Sequence, residues 1–220
     1  MYKALLIVVS DRFTTEKDLK HIRKGMETFD LYVHTEMMSN KIGIVTTAKD
    51  LKRIFEKESI GFDVIHFLTI GTGYYVCKCF LKEIEGNRKL GKIISFSHKY
   101  QLPYEKMIHN KMMRAFFGPM LFSLSNRTIV RQVCGKERTG LDSLAVYSCK
   151  YTIFEKILNF VFKSDDKHTL VDSFVRTVQY DITMKELCEN DVVHQEIFKF
   201  LNESREIVHQ TSKRNKQVLF

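Results

Sequence analysis

Thr69-Ile70-Gly71-Thr72-Gly73, His98 and the acid pair Asp165-Asp166 are the residues whose types and spacing could do chemistry in this chain. A hydroxyl or thiol, an imidazole and a carboxylate are the set that acyl transfer needs. The nucleophile attacks, the imidazole takes its proton, and the acid orients the imidazole. The stretch VIHFLTIGTGYYVCKCFLKEI, Val64 to Ile84, reads as a buried strand, a tight glycine turn and an amphipathic helix. The apex of that turn is Gly71, which has no side chain to attack with. Thr69 and Thr72 flank it with hydroxyls, in the wrong geometry for a nucleophile at the apex.

Each of these residues also has a plainer reading. Gly71 and Gly73 suit a tight turn and close helix-to-strand packing, because glycine tolerates positive φ; a backbone contact to a ligand is the other use. Neither G-x-G-x-x-G nor a Walker sequence is present, so a phosphate loop does not fit. His98, in SFSHKYQLPYE, is expected at the carboxyl end of a strand, where open α/β sheets bind ligands. His66 lies within a buried strand and reads as a core histidine, while His168 and His194 read as residues that cap or decorate helices. Asp165-Asp166 is either the acid of an enzyme or a solvated loop or helix cap. Cys77 and Cys79 are the only close cysteine pair, and with no second pair nearby neither a metal site nor a cofactor is expected.

Stepping along the chain, strands and helices alternate. Ala4 to Val9 is a continuous apolar run, expected to be a strand buried on both faces. After Thr15, EKDLKHIRKGMETF brings Leu19, Ile22 and Met26 to one helical face. DLYVHTEM is a second strand, and TTAKDLKRIFEKESI a helix with Thr46 or Thr47 as its N-cap. VIHFLTI, the helix Tyr74 to Ile84, and the strand GKIISFSH follow. This rhythm predicts a parallel sheet covered on both faces. PYEKMIHNKMMRAFFGPMLFSL is expected to be helical up to Gly118-Pro119, where it must break. DSLAVYSC and FEKILNFVFKSDD each hold a strand candidate, the second being open to a helix that runs into a strand. DVVHQEIFKFLNESREIVH is a helix with Val193, Ile197, Phe200 and Leu201 on one face, and the last ten residues are its loose end.

Composition bounds the function classes. A chain of 220 residues, 44% hydrophobic with only 2 Pro, has enough apolar side chain for one sizeable core and is not of disordered type. No apolar run reaches the length of a membrane span. Five scattered cysteines, an odd count, point to reduced thiols and a cytoplasmic or nuclear setting, with the cytoplasm as the expected location. The net charge of +9 admits a nucleic-acid partner, but Lys and Arg are interleaved with acids and no recognition motif supports one.

The order from ALLIVVSDRFTTEKDLKHIRKGM through IHFLTIGTGYYVCKCFLKE to LGKIISFSHKYQLP resembles the α/β-hydrolase fold, and within it the serine esterases and lipases. The resemblance spans roughly Ala4 to Pro103, weakens across Tyr104 to Lys163, and returns from Phe162 to Leu201. In that family the first strand ends in a His-Gly loop that helps form the oxyanion hole, and a later strand ends in G-x-S-x-G. Matched to it, Thr69 replaces the first glycine and Gly71 the nucleophilic serine. Ser10-Asp11 takes the place of His-Gly, and Asp11 puts a carboxylate where a developing negative charge needs donors. The family's acid falls on Asp165 or Asp166, and its histidine on Met184 or Thr183.

The resemblance therefore implies one α/β domain over 1–210, α/β-hydrolase-like, with a mainly parallel sheet and helices on both faces. It allows a lid-like helical insertion at 104–142, with core packing over the sheet as the other reading, and leaves a basic tail at 211–220. The function it implies is that of a non-catalytic lipase- or serine-esterase-like protein that binds a protein partner or an apolar ligand. Two alternatives stand beside this: an active esterase- or lipase-type hydrolase with an atypical nucleophile, and a basic nucleic-acid- or ribosome-associated protein.

Overall fold

The computed structural model of the chain describes residues 3–11, 13–37, 43–84, 86–98, 104–125, 141–162 and 174–216. Its strands are β1 (Ala4–Ser10), β2 (Tyr32–Met37), β3 (Val64–Ile70), β4 (Leu90–His98), β5 (Ser143–Ser148) and β6 (Arg176–Tyr180). They form one sheet in the order β2-β1-β3-β4-β5-β6, with every neighbouring pair parallel. The helices are α1 (Glu16–Glu27), α2 (Ile44–Glu58), α3 (Gly73–Glu83), α4 (Tyr104–Met107), α5 (Lys111–Phe117), α6 (Pro119–Ser125), α7 (Ile153–Phe162), α8 (Met184–Glu189) and α9 (Asp191–Lys216).

The continuous apolar strands have a simple cause. Side chains alternate across a strand, so a strand covered on both faces must be apolar at every position. Leu5, Ile7 and Val9 of β1 join Ile65 and Phe67 in a core with Leu51 and Phe55 of α2 and Val76 and Phe80 of α3. Leu6 and Val8 join Leu68, Ile94 and Phe96 in a second core with Leu19, Ile22 and Met26 of α1 and Val193, Ile197 and Phe200 of α9. A smaller third cluster unites Met107, Met113 and Leu121 of α4 to α6 with Leu158 of α7.

Several boundaries differ from those expected. Helix α2 starts at Ile44 with Gly43 as its N-cap, and the Thr47 hydroxyl donates back to the Gly43 carbonyl instead of capping. The segment beginning at Tyr104 breaks twice. Asn110 accepts from the Met112 and Met113 N–H groups and starts a new helix, and Gly118, at φ +62°, ends it before Pro119. Ile153–Phe162 is a helix, not a strand, because Leu158 and Phe162 recur at helical spacing and pack on the third cluster. Strand β6 had no counterpart in the expected elements. Its exposed and half-buried residues lack the apolar run that marks the central strands. Among the described residues no helix is long and apolar enough to cross a membrane.

Candidate functional site

Six parallel strands bring six carboxyl ends to one edge of the sheet. Ser10-Asp11, Gly71-Thr72, His98, Cys149-Lys150 and Asp181-Ile182-Thr183 all end or follow strands there. The register sets the neighbours: Val9 lies beside Thr69, Ile70 beside Phe96, and His98 beside Ser148.

The turn after β3 is held tightly. The Gly71 N–H donates to the Phe96 carbonyl at 2.9 Å, and its carbonyl accepts from the Tyr74 N–H. Gly71 has φ +56°, in the left-handed region that side-chain-bearing residues avoid. Gly73 opens α3 against the end of β1, where an added Cβ would lie 2.2 Å from the Val9 carbonyl oxygen. Glycine is therefore required at both positions, at one by conformation and at the other by the close approach of a helix to a strand. Thr69 is fully buried and its hydroxyl donates to the Ile94 carbonyl, which makes it a core residue. Thr72 precedes the first turn of α3, and its hydroxyl makes no capping bond.

What occupies the space above Gly71 is the Asp11 carboxylate. A Cβ built on Gly71 would sit 2.0 Å from Asp11 Oδ2 and 2.9 Å from Cγ. Oδ1 of the same carboxylate accepts from the Phe13 N–H at 3.0 Å, the Thr14 N–H at 3.2 Å and the Thr14 hydroxyl at 3.1 Å. The Thr72 backbone N–H is near enough to the group to favour its charged form. Burial pushes the Asp11 carboxyl above the usual carboxylate range, against the opposing pull of those donors. The first β-strand and the turn after the third are thus joined by a side chain that fills the place where an apical side chain would project.

His98 closes β4 at the same edge. Its Nε2 lies 2.6 Å from Glu155 Oε1, and its ring stacks on Tyr151 at 4.9 Å between centroids. The other Glu155 oxygen accepts from the Thr152 N–H and hydroxyl, both at 2.8 Å, at the start of α7. Burial raises the Glu155 carboxyl, but the hydrogen bond and charge of His98, with the Thr152 donors, outweigh it and hold the carboxyl below the usual range. His98 Nδ1 is buried without a hydrogen-bond partner, so among the described residues neither ring nitrogen is bonded to a serine or cysteine. Neither Glu155 nor Tyr151 was among the expected site residues. The Thr152-x-x-Glu155 capping sequence was the available signal for the first of them.

The remaining expected residues that the structure describes have partners of their own. Asp165 and Asp166 lie outside the described residues, and the segment before them is α7, not the strand their assignment presumed. Strand β5 opens instead onto Cys149, Lys150 and Tyr151, none of them an acid, and Lys150 Nζ sits 3.4 Å from Asp181. Thr183 caps α8, its hydroxyl accepting from the Glu186 N–H, and Met184 packs on the second core. His66 accepts the Lys92 N–H inside the core. His194 is buried, not a surface cap: its Nε2 lies 3.0 Å from the Cys188 carbonyl, and its ring fills the space beside Gly25. Among the described residues no group of three or more His, Cys, Asp or Glu is placed to hold a metal.

No family model and no curated protein matches the sequence. Solved structures do match the fold. Bacillus licheniformis lipase BlEst2 is similar over 90% of this chain and 92% of its own, with a TM-score of 0.64 and 10% identity. The metagenome-derived lipolytic enzymes LipS and LipT are represented by a structure with TM-score 0.59 and 9% identity, covering 92% of this chain and 94% of that one. MGS-MChE2, an α/β-hydrolase from sediment of the Mar Chica lagoon, Morocco, gives 0.58 and 10% over 93% and 92%. With its parallel sheet, its helices on both faces and its turn after β3, the chain has the α/β-hydrolase fold of these lipases and esterases.

Proposed function

We propose that this chain is a non-catalytic member of the lipase and esterase architecture that acts by binding a protein partner or an apolar ligand. One observation carries the reading: the Asp11 carboxylate lies where a nucleophile on residue 71 would stand, with the Thr72 N–H beside it. In acyl transfer the backbone N–H after the nucleophile is a donor to the developing oxyanion. A carboxylate at that place competes for the donor and opposes a second negative charge. Gly71 supplies no side-chain oxygen or sulfur, and Met184 or Thr183, matched to the family's histidine, supplies no imidazole. The test is hydrolysis of short- and medium-chain p-nitrophenyl esters by the purified chain. The expected rate is that of buffer; enzyme-dependent turnover would overturn the proposal.

The His98–Glu155 pair favours a second reading, a hydrolase with another nucleophile, since a carboxylate bonded to an imidazole is how a catalytic base is oriented. That reading requires turnover that is lost in His98→Gln. The same assay with this variant separates the two.

A further inference from the structure

We propose that the crevice between the carboxyl ends of β1 and β3 takes the ammonium group of an apolar amine, with Asp11 Oδ2 as its acceptor. This rests on the non-catalytic, binding role stated above and names the class of ligand. Strand order places the crevice. Strands β2 and β3 lie on opposite sides of β1, and the chain leaves β1 for α1 on the second core but leaves β3 for α3 on the first. Connections that part to opposite faces open a crevice between them, the point at which open α/β sheets bind ligands. Asp11 and Gly71 are the residues that follow those two strands. Asp11 as a whole is half-buried there, within reach of solvent.

The carboxylate is only half used. Its hydrogen bonds, from the Phe13 N–H and from the Thr14 N–H and hydroxyl, all go to Oδ1. Oδ2 lies against Gly71, and the Thr72 N–H is near the group. No basic residue at the strand ends neutralises it among the described residues, because His98 is bound to Glu155 and Lys150 to Asp181. A recessed carboxylate without a counter-charge carries a desolvation cost that a bound cation offsets. The polarity is the reverse of an acyl-transfer site, where N–H donors receive a carbonyl oxygen; here an acceptor oxygen stands ready for a donor. A metal ion would need several ligands, and among the described residues no group of three or more is placed to hold one. An ammonium needs one charge-assisted acceptor and an apolar or aromatic neighbour. Phe13, two residues beyond Asp11, is 43% exposed.

The experiment is isothermal titration calorimetry of the full chain with octylammonium chloride, octan-1-ol and sodium octanoate, all below their micellar concentrations. Octylammonium is expected to bind about tenfold more tightly than either of the others, because a charge-assisted hydrogen bond outweighs a neutral one. Asp11→Asn should lower its affinity about tenfold. Asp181→Asn removes an exposed acid at the same edge and should leave the affinity within about twofold. Amide chemical shifts of Phe13, Thr14 and Thr72 in the native chain should move during the titration, a readout that needs no variant. Octan-1-ol or octanoate binding as tightly as octylammonium overturns the inference while leaving a non-catalytic binding cleft, and no binding of any of the three overturns it too. Binding that Asp11→Asn leaves unchanged does the same, as does an equal loss in Asp181→Asn, which assigns the attraction to surface charge. Ester turnover is the separate result that defeats the non-catalytic role itself.

Discussion

Replacing Gly71 with alanine should destabilise the fold far more in the native chain than in one that lacks the Asp11 carboxylate. Two effects add in the native background. An L-residue at φ +56° costs about 1–2 kcal/mol. The new methyl, 2.0 Å from Asp11 Oδ2, forces the carboxylate away from its bonds to the Phe13 and Thr14 N–H groups. A hydrogen bond to a charged group is worth about 1.5–3 kcal/mol, so Gly71→Ala should cost about 2.5–5 kcal/mol in all. In Asp11→Ala the nearest remaining atom of residue 11 is Cβ, at 3.6 Å, an ordinary contact. Only the backbone cost then survives, leaving a coupling of about 1.5–3 kcal/mol between the two positions. Urea unfolding of the native chain, both single variants and the double variant, followed by circular dichroism at pH 7, measures that coupling. Additivity to within about 0.5 kcal/mol would refute the claim that Asp11 occupies the space of residue 71.

Three further outcomes follow from the buried ionisable groups. Asp11 titrates above its ordinary 3.8 in the folded state, so its contribution is fully present below that value and is lost as pH rises through the folded pKa; the stability of the native chain relative to Asp11→Asn should therefore fall as pH is raised from 3.8. Burial lowers His194, although its bond to Cys188 and the charge of Asp191 oppose this, so its contribution disappears as pH falls through 6.5 toward the folded value. His194→Gln should remove that part of the acid sensitivity, as read from urea midpoints at pH 7.5 and below. Glu155→Gln should cost about 1–2 kcal/mol at neutral pH through its weakened bonds to His98 and Thr152. That difference should shrink as pH drops below 4.5, where the native carboxyl takes up its proton; a pH-independent cost would refute the ionic part of the account.

The parts of the fold that were legible in the sequence are those in which one residue pattern has one physical cause. Ala4–Ser10 and Val64–Ile70 had to be apolar at nearly every position because both faces are covered, and Thr15 with Asp18 forms a reciprocal cap that the sequence displays. Gly71 at the turn and His98 at the end of its strand were legible for the same reason. Strand β6 was not, because an edge strand with outward polar residues lacks that pattern. Helix α7 leaves strand and helix both open in the sequence, because ILNFVF is apolar at every residue but Asn159. The run arises from a helix with one face in the third cluster and another face exposed. The meeting of Asp11 with Gly71 could not be read from either segment alone. It depends on the parallel register of β1 and β3, which sets residues 60 apart in the chain at the same edge.

The central claim, that residue 71 presents no nucleophile and that its place is filled by Asp11, is tested most directly by intact-mass spectrometry after incubation with an alkyl fluorophosphonate. The account predicts an unchanged mass, in the native chain and in His98→Gln alike. A single stoichiometric phosphonate adduct on the native chain, lost on heat denaturation before labelling, would contradict it.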